Sequence, residues 1–324
     1  MTAQWGLLST ARINDKFIGG VAQSRMSSVL AVASRDRTRA ERYAAERGIE
    51  RAYDSYDALL ADPDIDAVYI SLPNSMHLEW TSRALEAGKH VLCEKPLSRR
   101  EADVRAAFDL AERHDRVLME AFMYRHHPQT ARMVDLVQSG AIGRLRVIRA
   151  AFSFHFEDEA DVRLTAELDG GSLMDVGCYC VSAARLLAGE PELVSGAQVI
   201  GGDGIDVTFT GWMRFPDDVM AHFDSGLILD DRFDLEVVGE EASLFVADPW
   251  HCVTPRIELR RAHAAEIIEV PAGNPYGLEA DNLAAAIRGE SAPLLGRADA
   301  EGQARAIEAL YASADSGAPV APPR

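Results

Sequence analysis

His90-Val91-Leu92-Cys93-Glu94-Lys95-Pro96 reads as a short apolar strand running into a turn, and its neighbours repeat the same arrangement. Apolar runs at Trp5-Gly6-Leu7-Leu8, Val29-Leu30-Ala31-Val32-Ala33, Ala67-Val68-Tyr69-Ile70-Ser71 and Val117-Leu118-Met119-Glu120 alternate with helical patterns at 37–47, 75–87 and 101–114. Strands alternating with helices predict βαβ units and a doubly wound parallel sheet over residues 1–122. Ligands of such a sheet sit where the C-terminal ends of the strands meet the loops, and Glu94-Lys95-Pro96 stands at one of those ends.

Lysine occurs only at 16, 89 and 95, so the other 30 of the 33 basic residues are arginine. Arginine keeps its proton at neutral pH, whereas a partly buried lysine can be tuned to exchange one. Proton-transfer chemistry is one reason to keep a lysine at 95; a solvated turn residue before proline is the other.

Composition narrows the class. The hydrophobic fraction of 48% and charged fraction of 26% are ordinary for a globular protein. No run approaches the ~18 apolar residues of a membrane helix, and no basic-then-apolar signal segment is expected at the N-terminus. The four cysteines at 93, 178, 180 and 252 lack zinc-type spacing and read as reduced thiols of a cytoplasmic protein. The net charge of −18 is uneven: residues 1–125 hold 18 basic and 19 acidic groups, and residues 126–324 the remaining 15 and 32. So acidic a second half repels nucleic acid, while the near-neutral first half can take an anionic cofactor.

From Arg144 the period changes. Arg146–Phe156, Val207–Phe215, Met220–Phe223, Phe233–Val238, Ser243–Val246, Arg256–Arg260 and Glu266–Val270 read as strands, with a turn at Pro216-Asp217-Asp218. A helix opened by Gly170-Gly171-Ser172 runs to Leu187, and two more follow at 278–287 and 297–314. Residues 123–317 are therefore expected to form an α+β domain with a large, mostly antiparallel sheet, helices on one face, and a loose Pro-rich tail at 318–324. The uncovered sheet face predicts a homodimer or homotetramer.

Ser9-Thr10-Ala11-Arg12-Ile13-Asn14 follows the first strand, where a dinucleotide-binding protein places its glycine-rich turn. Ser, Ala and Asn stand at the three glycine positions, yet Ser and Ala are small enough for close approach of a pyrophosphate to a helix N-terminus. An ordinary strand-to-helix turn is the competing reading. After the second strand comes Ser34-Arg35-Asp36-Arg37 rather than the acidic residue that binds NAD ribose. A hydroxyl followed by guanidinium suits a 2′-phosphate, which favours NADP(H) over NAD(H), with NAD(H) still possible. Asp36 is placed to cap the next helix.

Three segments together resemble the glucose–fructose oxidoreductase / inositol dehydrogenase / MocA family: the opening Trp5 to Ile13, Glu94-Lys95-Pro96, and Gly170-Gly171-Ser172-Leu173-Met174-Asp175-Val176-Gly177-Cys178-Tyr179. The likeness extends to Pro293-Leu294-Leu295-Gly296-Arg297, and the branch with dihydrodiol dehydrogenases and NADP-linked xylose dehydrogenases is most similar, sharing Tyr179 and the Ser34-Arg35 pair. The resemblance implies a Rossmann domain, an open-faced α/β domain, and hydride transfer at a carbinol or carbonyl carbon of a sugar, polyol or diol. It places the catalytic lysine at Lys95, the tyrosine at Tyr179 and the aspartate at Asp175, with Glu94 and Pro96 holding Lys95. It also implies a cofactor loop at Leu72-Pro73-Asn74-Ser75-Met76-His77, from which Asn74 and His77 are picked, and Arg37, Glu94, Lys95 and Pro96 are counted with the expected cofactor contacts. Ser9 and Asn14 depart from its pattern and bear on cofactor affinity.

The chemistry has its own basis. Alcohol oxidation needs a base for the hydroxyl proton while hydride leaves for a nicotinamide. Asp175 and Tyr179 at i, i+4 project from one helix face; the spacing does not choose between Lys95 and Tyr179 as the immediate acid/base. The resemblance further implies that the 122–128 stretch lines the cleft, making Arg125 a candidate cofactor contact and Tyr124 a candidate substrate contact. Asp161-Val162-Arg163 resembles the branch's N-x-R segment, which makes Arg163 a candidate substrate contact or a surface arginine, and Phe154 is a further substrate candidate. The adjacent His126 and His127 are read against a metal site, because neighbours on an extended chain face opposite ways. An NADPH-dependent reductase of a keto-sugar or 1,5-anhydrofructose is an alternative activity. A non-catalytic NADP-binding sensor is another, and it has no need of Lys95 and Tyr179.

Overall fold

The computed structural model describes residues 2–156 and 161–323, whose contacts cluster into two compact units. The first gathers residues 1–98, 102–126 and 274–301; the second gathers 99–101, 127–273 and 302–324. A contiguous division near residue 122 was expected. The later stretch 274–301 nevertheless belongs with the first unit, because its helix buries an apolar face there.

In the first unit, strands β1 (Ala3–Leu8), β2 (Ser27–Ala33), β3 (Arg51–Tyr53), β4 (Ala67–Ile70), β5 (His90–Glu94) and β6 (Leu118–Ala121) form one sheet in the order β3-β2-β1-β4-β5-β6, every pair parallel. Trp5, Leu7, Val68, Tyr69, Val91 and Leu92 are fully buried, as strands covered on both faces require. Helices α1 (Asn14–Val21), α2 (Arg37–Arg47), α3 (Tyr56–Leu60), α4 (His77–Glu86) and α5 (Glu101–Arg113) make the crossovers. Asp36 caps α2 as the sequence predicts, accepting from the Arg39 N–H at 2.7 Å. The helix expected from Ser75 is shorter: Asn74–Met76 is a 3₁₀ turn and α4 starts at His77. The short β3 and α3 were not anticipated, their three and five residues being too few to show a period.

The second unit holds an eight-stranded sheet. Its strands are β7 (Leu145–His155), β8 (Leu193–Ile200), β9 (Asp206–Arg214), β10 (Met220–Gly226), β11 (Ile228–Gly239), β12 (Ser243–Val246), β13 (Arg256–Arg261) and β14 (Ala264–Glu269). They run in the order β14-β13-β12-β11-β7-β10-β9-β8, and only β7 and β10 are parallel. β9 and β10 are joined by the predicted turn, with Asp217 and Asp218 at φ 61° and 59°. Helices α6 (Pro128–Gln138) and α7 (Cys178–Ala188) follow in this unit, and α8 (Pro275–Ile287) and α9 (Arg297–Ser316) complete the chain. One sheet face buries Ile148, Phe152, Phe209, Met213, Phe223 and Leu235. The alternate residues Arg149, Thr210, His222 and Met220 are exposed on the other.

Two expectations for the second half change. β8 escaped notice because Ser195-Gly196-Ala197-Gln198 interrupts its apolar alternation. The tail is anchored rather than loose: Val320 exchanges two 2.9 Å main-chain bonds with Val194, and Ser313 donates to the Ala318 carbonyl at 2.7 Å. α6 was likewise not predicted.

In the first unit α8 packs against α1 where Gly20 meets Gly277; a Cβ at Gly20 falls 2.4 Å from the Gly277 nitrogen. Asn274 caps α8, accepting from Tyr276 N at 3.1 Å, and so fixes its start beside that contact. Gly20→Val is expected to force these helices apart and destabilise the protein by about 1–3 kcal/mol, read as a lower midpoint in urea unfolding.

Candidate functional site

Because all six strands of the first sheet are parallel, the residues ending β1, β2, β4 and β5 share one edge. At the end of β1 the turn that lacks glycines is held by side chains. Asn14, fully buried, donates to the Ser9 carbonyl at 2.9 Å and accepts from Ser71 Oγ at 2.6 Å. Ser9 Oγ pairs with Ser71 Oγ at 2.7 Å and accepts from Ala11 N at 3.0 Å. Thr10, Ala11 and Ile13 are half-buried and Arg12 is exposed. No side chain caps the N-terminus of α1; its first N–H groups, at Asn14, Asp15 and Lys16, close onto the Ala11, Arg12 and Ile13 carbonyls at 3.2, 3.2 and 3.0 Å. The small side chains of Ser9, Thr10 and Ala11 suit close approach of a pyrophosphate.

At the end of β2, Ser34 is buried and Arg35 is exposed, with no ion pair among the described residues. Arg37, also exposed, is taken up by Glu41 at 2.8 Å and Asp54 at 3.6 Å. Of the two arginines, Arg35 is the one open to a 2′-phosphate, and Arg37 braces its own helix.

The β4 and β5 ends are tied together. His77 is fully buried; its Nδ1 lies 2.9 Å from the Pro96 carbonyl and its Nε2 2.9 Å from the Leu72 carbonyl. Both ring nitrogens face main-chain oxygens, so the ring sits between the Leu72-Pro73-Asn74 loop and the Lys95-Pro96 turn and, through its N–H, bonds one of them. The Lys95–Pro96 peptide is cis. Glu94 and Lys95 are half-buried; the Tyr69 hydroxyl donates to Glu94 Oε1, and Leu97 N to Glu120 Oε1 at 2.7 Å.

In the second unit the predicted helix opens differently. Leu173–Gly177 is a π-helical turn, which widens the coil by one residue before α7 begins at Cys178. Asp175 and Tyr179 therefore sit on either side of this change of winding. Buried Asp206 anchors the turn, accepting from Leu173 N at 2.7 Å, Ser172 Oγ at 2.8 Å and Tyr311 Oη at 2.9 Å. Burial raises the Asp206 pKa, opposed by these donors. Gly171, at φ +128°, leaves room for that carboxylate: a Cβ there meets Asp206 Oδ1 at 2.2 Å.

Around Tyr179 stands an aromatic wall. Phe152 meets Tyr179 edge-on at 5.2 Å, Phe154 at 6.2 Å and Phe233 at 5.5 Å, and lies parallel to Trp250 at 5.9 Å. Arg163 is gripped by Asp161 at 2.8 and 2.9 Å, lies 3.7 Å from Asp175 and covers the Phe156 ring at 4.1 Å. The geometry thus groups Arg163, Asp175, Tyr179 and Phe154, four residues singled out in the sequence. Tyr124 is only 1% exposed, so it offers little surface to a substrate, and Arg125 pairs with Asp299 at 3.4 Å.

His127 caps α6 through Nδ1, which accepts from Gln129 N at 3.0 Å, while burial holds the His126 pKa down to about 3. Among the described residues no group of three or more His, Cys, Asp or Glu side chains is disposed to hold a metal ion. Sequence reading missed Asp206, Phe152 and Trp250. Asp206 opens a strand 31 residues after Asp175, with no local motif to mark it. Phe152 had one signal: it shares strand parity with Phe154.

Comparison with known proteins adds to the geometry. Residues 4–122 match the family model described as an oxidoreductase family, NAD-binding Rossmann fold, and residues 130–245 match the GFO/IDH/MocA C-terminal domain. The NADP(+)-dependent D-xylose 1-dehydrogenase 2 of Haloferax volcanii is 38% identical over 98% of both chains. A 3-ketoreductase from Actinomadura kijaniata, solved with NADP and TDP-benzene, is 30% identical with a TM-score of 0.90, covering 97% of this chain and 98% of that one. The aldose-aldose oxidoreductase of Caulobacter crescentus, solved with glycerol, has a TM-score of 0.92 at 26% identity, covering 99% and 100%.

Asp206→Ala strips three buried donors of their acceptor. A loss of about 2–4 kcal/mol is expected in thermal or urea unfolding, and Asp206→Asn, which keeps a carbonyl acceptor, is expected to recover part of it.

Proposed function

The chain belongs to the Gfo/Idh/MocA oxidoreductase family, and from that membership we propose that it is an NADP-dependent dehydrogenase transferring hydride at a carbinol or carbonyl carbon of a sugar, polyol or diol. The observation that carries the reading is the placement of Glu94-Lys95-Pro96 on the same sheet edge as the Ser9–Ile13 turn and Arg35. NADP(H) is favoured over NAD(H) by Arg35, a cation at the end of β2 where an acidic residue is required for selective ribose binding.

Roles follow from chemistry. Ser9, Thr10, Ala11, Arg12 and Ile13 take the pyrophosphate, Ser34 and Arg35 the 2′-phosphate, and Leu72, Pro73 and Asn74 flank the cofactor. When bound, NADP supplies the acceptor for the hydride leaving the carbinol carbon. Lys95 in the first unit, and Tyr179 with Asp175 in the second, are assigned to the hydroxyl proton. Half-buried Phe154, backed by the buried Phe152 and Trp250 rings, offers an apolar ring to the C–H face of a sugar ring or diol, and Arg163 offers a charged donor to its hydroxyls. The reverse reaction, reduction of a keto-sugar, uses the same groups, and cellular cofactor ratios set the direction.

The open face of the second sheet, which presents Met220, Trp212 and His222, supports a homodimer or homotetramer through that face. Four buried free cysteines accord with a cytoplasmic setting. No helix among the described residues is long and apolar enough to cross a membrane.

Lys95→Met is expected to lower turnover of D-xylose with NADP by about 10²–10⁴-fold, a far larger loss than the change in NADPH affinity read by fluorescence titration. Unchanged turnover counts against a proton role for Lys95. Arg35→Asp is expected to weaken NADP binding far more than NAD binding; an equal loss of both excludes the 2′-phosphate assignment.

A further inference from the structure

Trp250 and His251 lie in the turn between β12 and β13, and one carboxylate organises that turn. Asp248 accepts from His251 N at 3.0 Å and from Val253 N at 2.8 Å, and its Oδ1 lies 3.2 Å from His251 Nδ1. Buried Gln129 on α6 fastens both ends, donating to the Asp248 carbonyl at 3.0 Å and accepting from Arg256 N at 2.8 Å. Trp250 Nε1 donates to the Ala151 carbonyl at 3.0 Å, which ties the same turn to β7.

None of this bracing requires a histidine. Both main-chain bonds to Asp248 form with any residue at 251, and an apolar ring packs on aromatic neighbours as well as an imidazole does. The imidazole meets Phe152 and Phe233 near right angles, at 5.5 and 4.9 Å, while its Nδ1 faces the carboxylate. Burial pushes the Asp248 pKa up, yet the donors from His251 and Val253 outweigh it and bring it below the ordinary value, so Asp248 is anionic at neutral pH. A carboxylate against Nδ1 keeps the proton on that nitrogen and leaves Nε2 as an acceptor. Nε2 has no partner among the described residues and is not sealed from solvent, the side chain being 32% exposed.

Its place is on the aromatic wall already described. Phe152 meets the Tyr179 ring at 5.2 Å and the His251 ring at 5.5 Å, so His251 stands one ring away from Tyr179. A sugar with one hydroxyl at Tyr179 has others within reach of a group one ring away. Arg163, against Phe156, can only donate to such hydroxyls, and an acceptor complements it.

We propose that His251, oriented by Asp248, accepts a hydrogen bond from a substrate hydroxyl other than the one at the reacting carbon, and so favours polyhydroxylated substrates. The proposal rests on the sugar, polyol or diol reading above. It is tested on the full chain with NADP and D-xylose, comparing His251→Ala and His251→Gln.

Alanine removes the acceptor and is expected to raise KM by about 3–10-fold, the worth of one hydrogen bond. Because the contact is away from the reacting carbon, kcat is expected to change by less than about threefold. Glutamine brings an amide carbonyl to the depth of Nε2 and is expected to recover most of the KM. An unchanged KM in His251→Ala overturns the proposal, as does a kcat loss larger than the rise in KM, or a His251→Gln that loses as much as His251→Ala. Absence of D-xylose oxidation by the unsubstituted protein counts against the proposed activity, and His251 is then read without turnover. Its imidazole ¹⁵N signals in the NADP-loaded protein, identified by their loss in His251→Gln, are followed by NMR as xylitol is added. A saturable shift at Nε2 supports the contact, and unmoved signals overturn it.

Discussion

A sheet whose strands all run one way ends every strand on the same edge, and the chemistry of the first unit follows from that constraint. Four turns far apart in sequence, at 9–13, 34–37, 72–77 and 94–96, are delivered to one edge by β1, β2, β4 and β5. The edge then needs bracing, because strand-end loops carry main-chain groups with no ladder partner. His77 braces one pair of turns by meeting a carbonyl from each, and the Ser9–Ser71–Asn14 hydroxyl and amide group braces another.

The second unit solves a different problem. Its sheet is mostly antiparallel, so neighbouring strands end on opposite edges. The stretch bearing Asp175 and Tyr179 is instead a helix start, pinned by one buried carboxylate that satisfies three donors. Asp206 does the work of an N-cap from a distant strand. The π turn between it and α7 changes the angle at which Tyr179 leaves the helix, setting the ring against Phe152 and Trp250.

Much of this was legible in the residues. Alternating apolar runs gave the first sheet, because strands buried on both faces leave nearly continuous hydrophobic signatures at Ala67–Ile70 and His90–Cys93. Asp36 was readable as a cap because capping is local. What could not be read was long-range. The burial of α8 in the first unit rests on two glycines some 250 residues apart, whose contact has no period. The apolar alternation of β8 is interrupted at Gly196, a residue that a propensity argument counts against a strand, although the strand itself runs on through it. The contact of His77 with the Pro96 carbonyl was not readable, because a main-chain carbonyl is a group every residue possesses.

The first turn shows why a motif can be lost while its geometry survives. Glycine is favoured after β1 for lack of a side chain: the backbone bends freely and a phosphate can come close. Neither property demands glycine if the bend is held another way and the side chains turn inward. Ser9 and Asn14 do both, spending their polar atoms on Ser71, the Ser9 carbonyl and Ala11 N rather than projecting them outward. The cost is freedom, since a turn closed by buried hydrogen bonds no longer flexes as a glycine turn does. The entropy of ordering that loop is then lost on folding and not again on binding. Departure from the glycine pattern at Ser9 and Asn14 thus goes with a turn whose shape side-chain hydrogen bonds fix on folding.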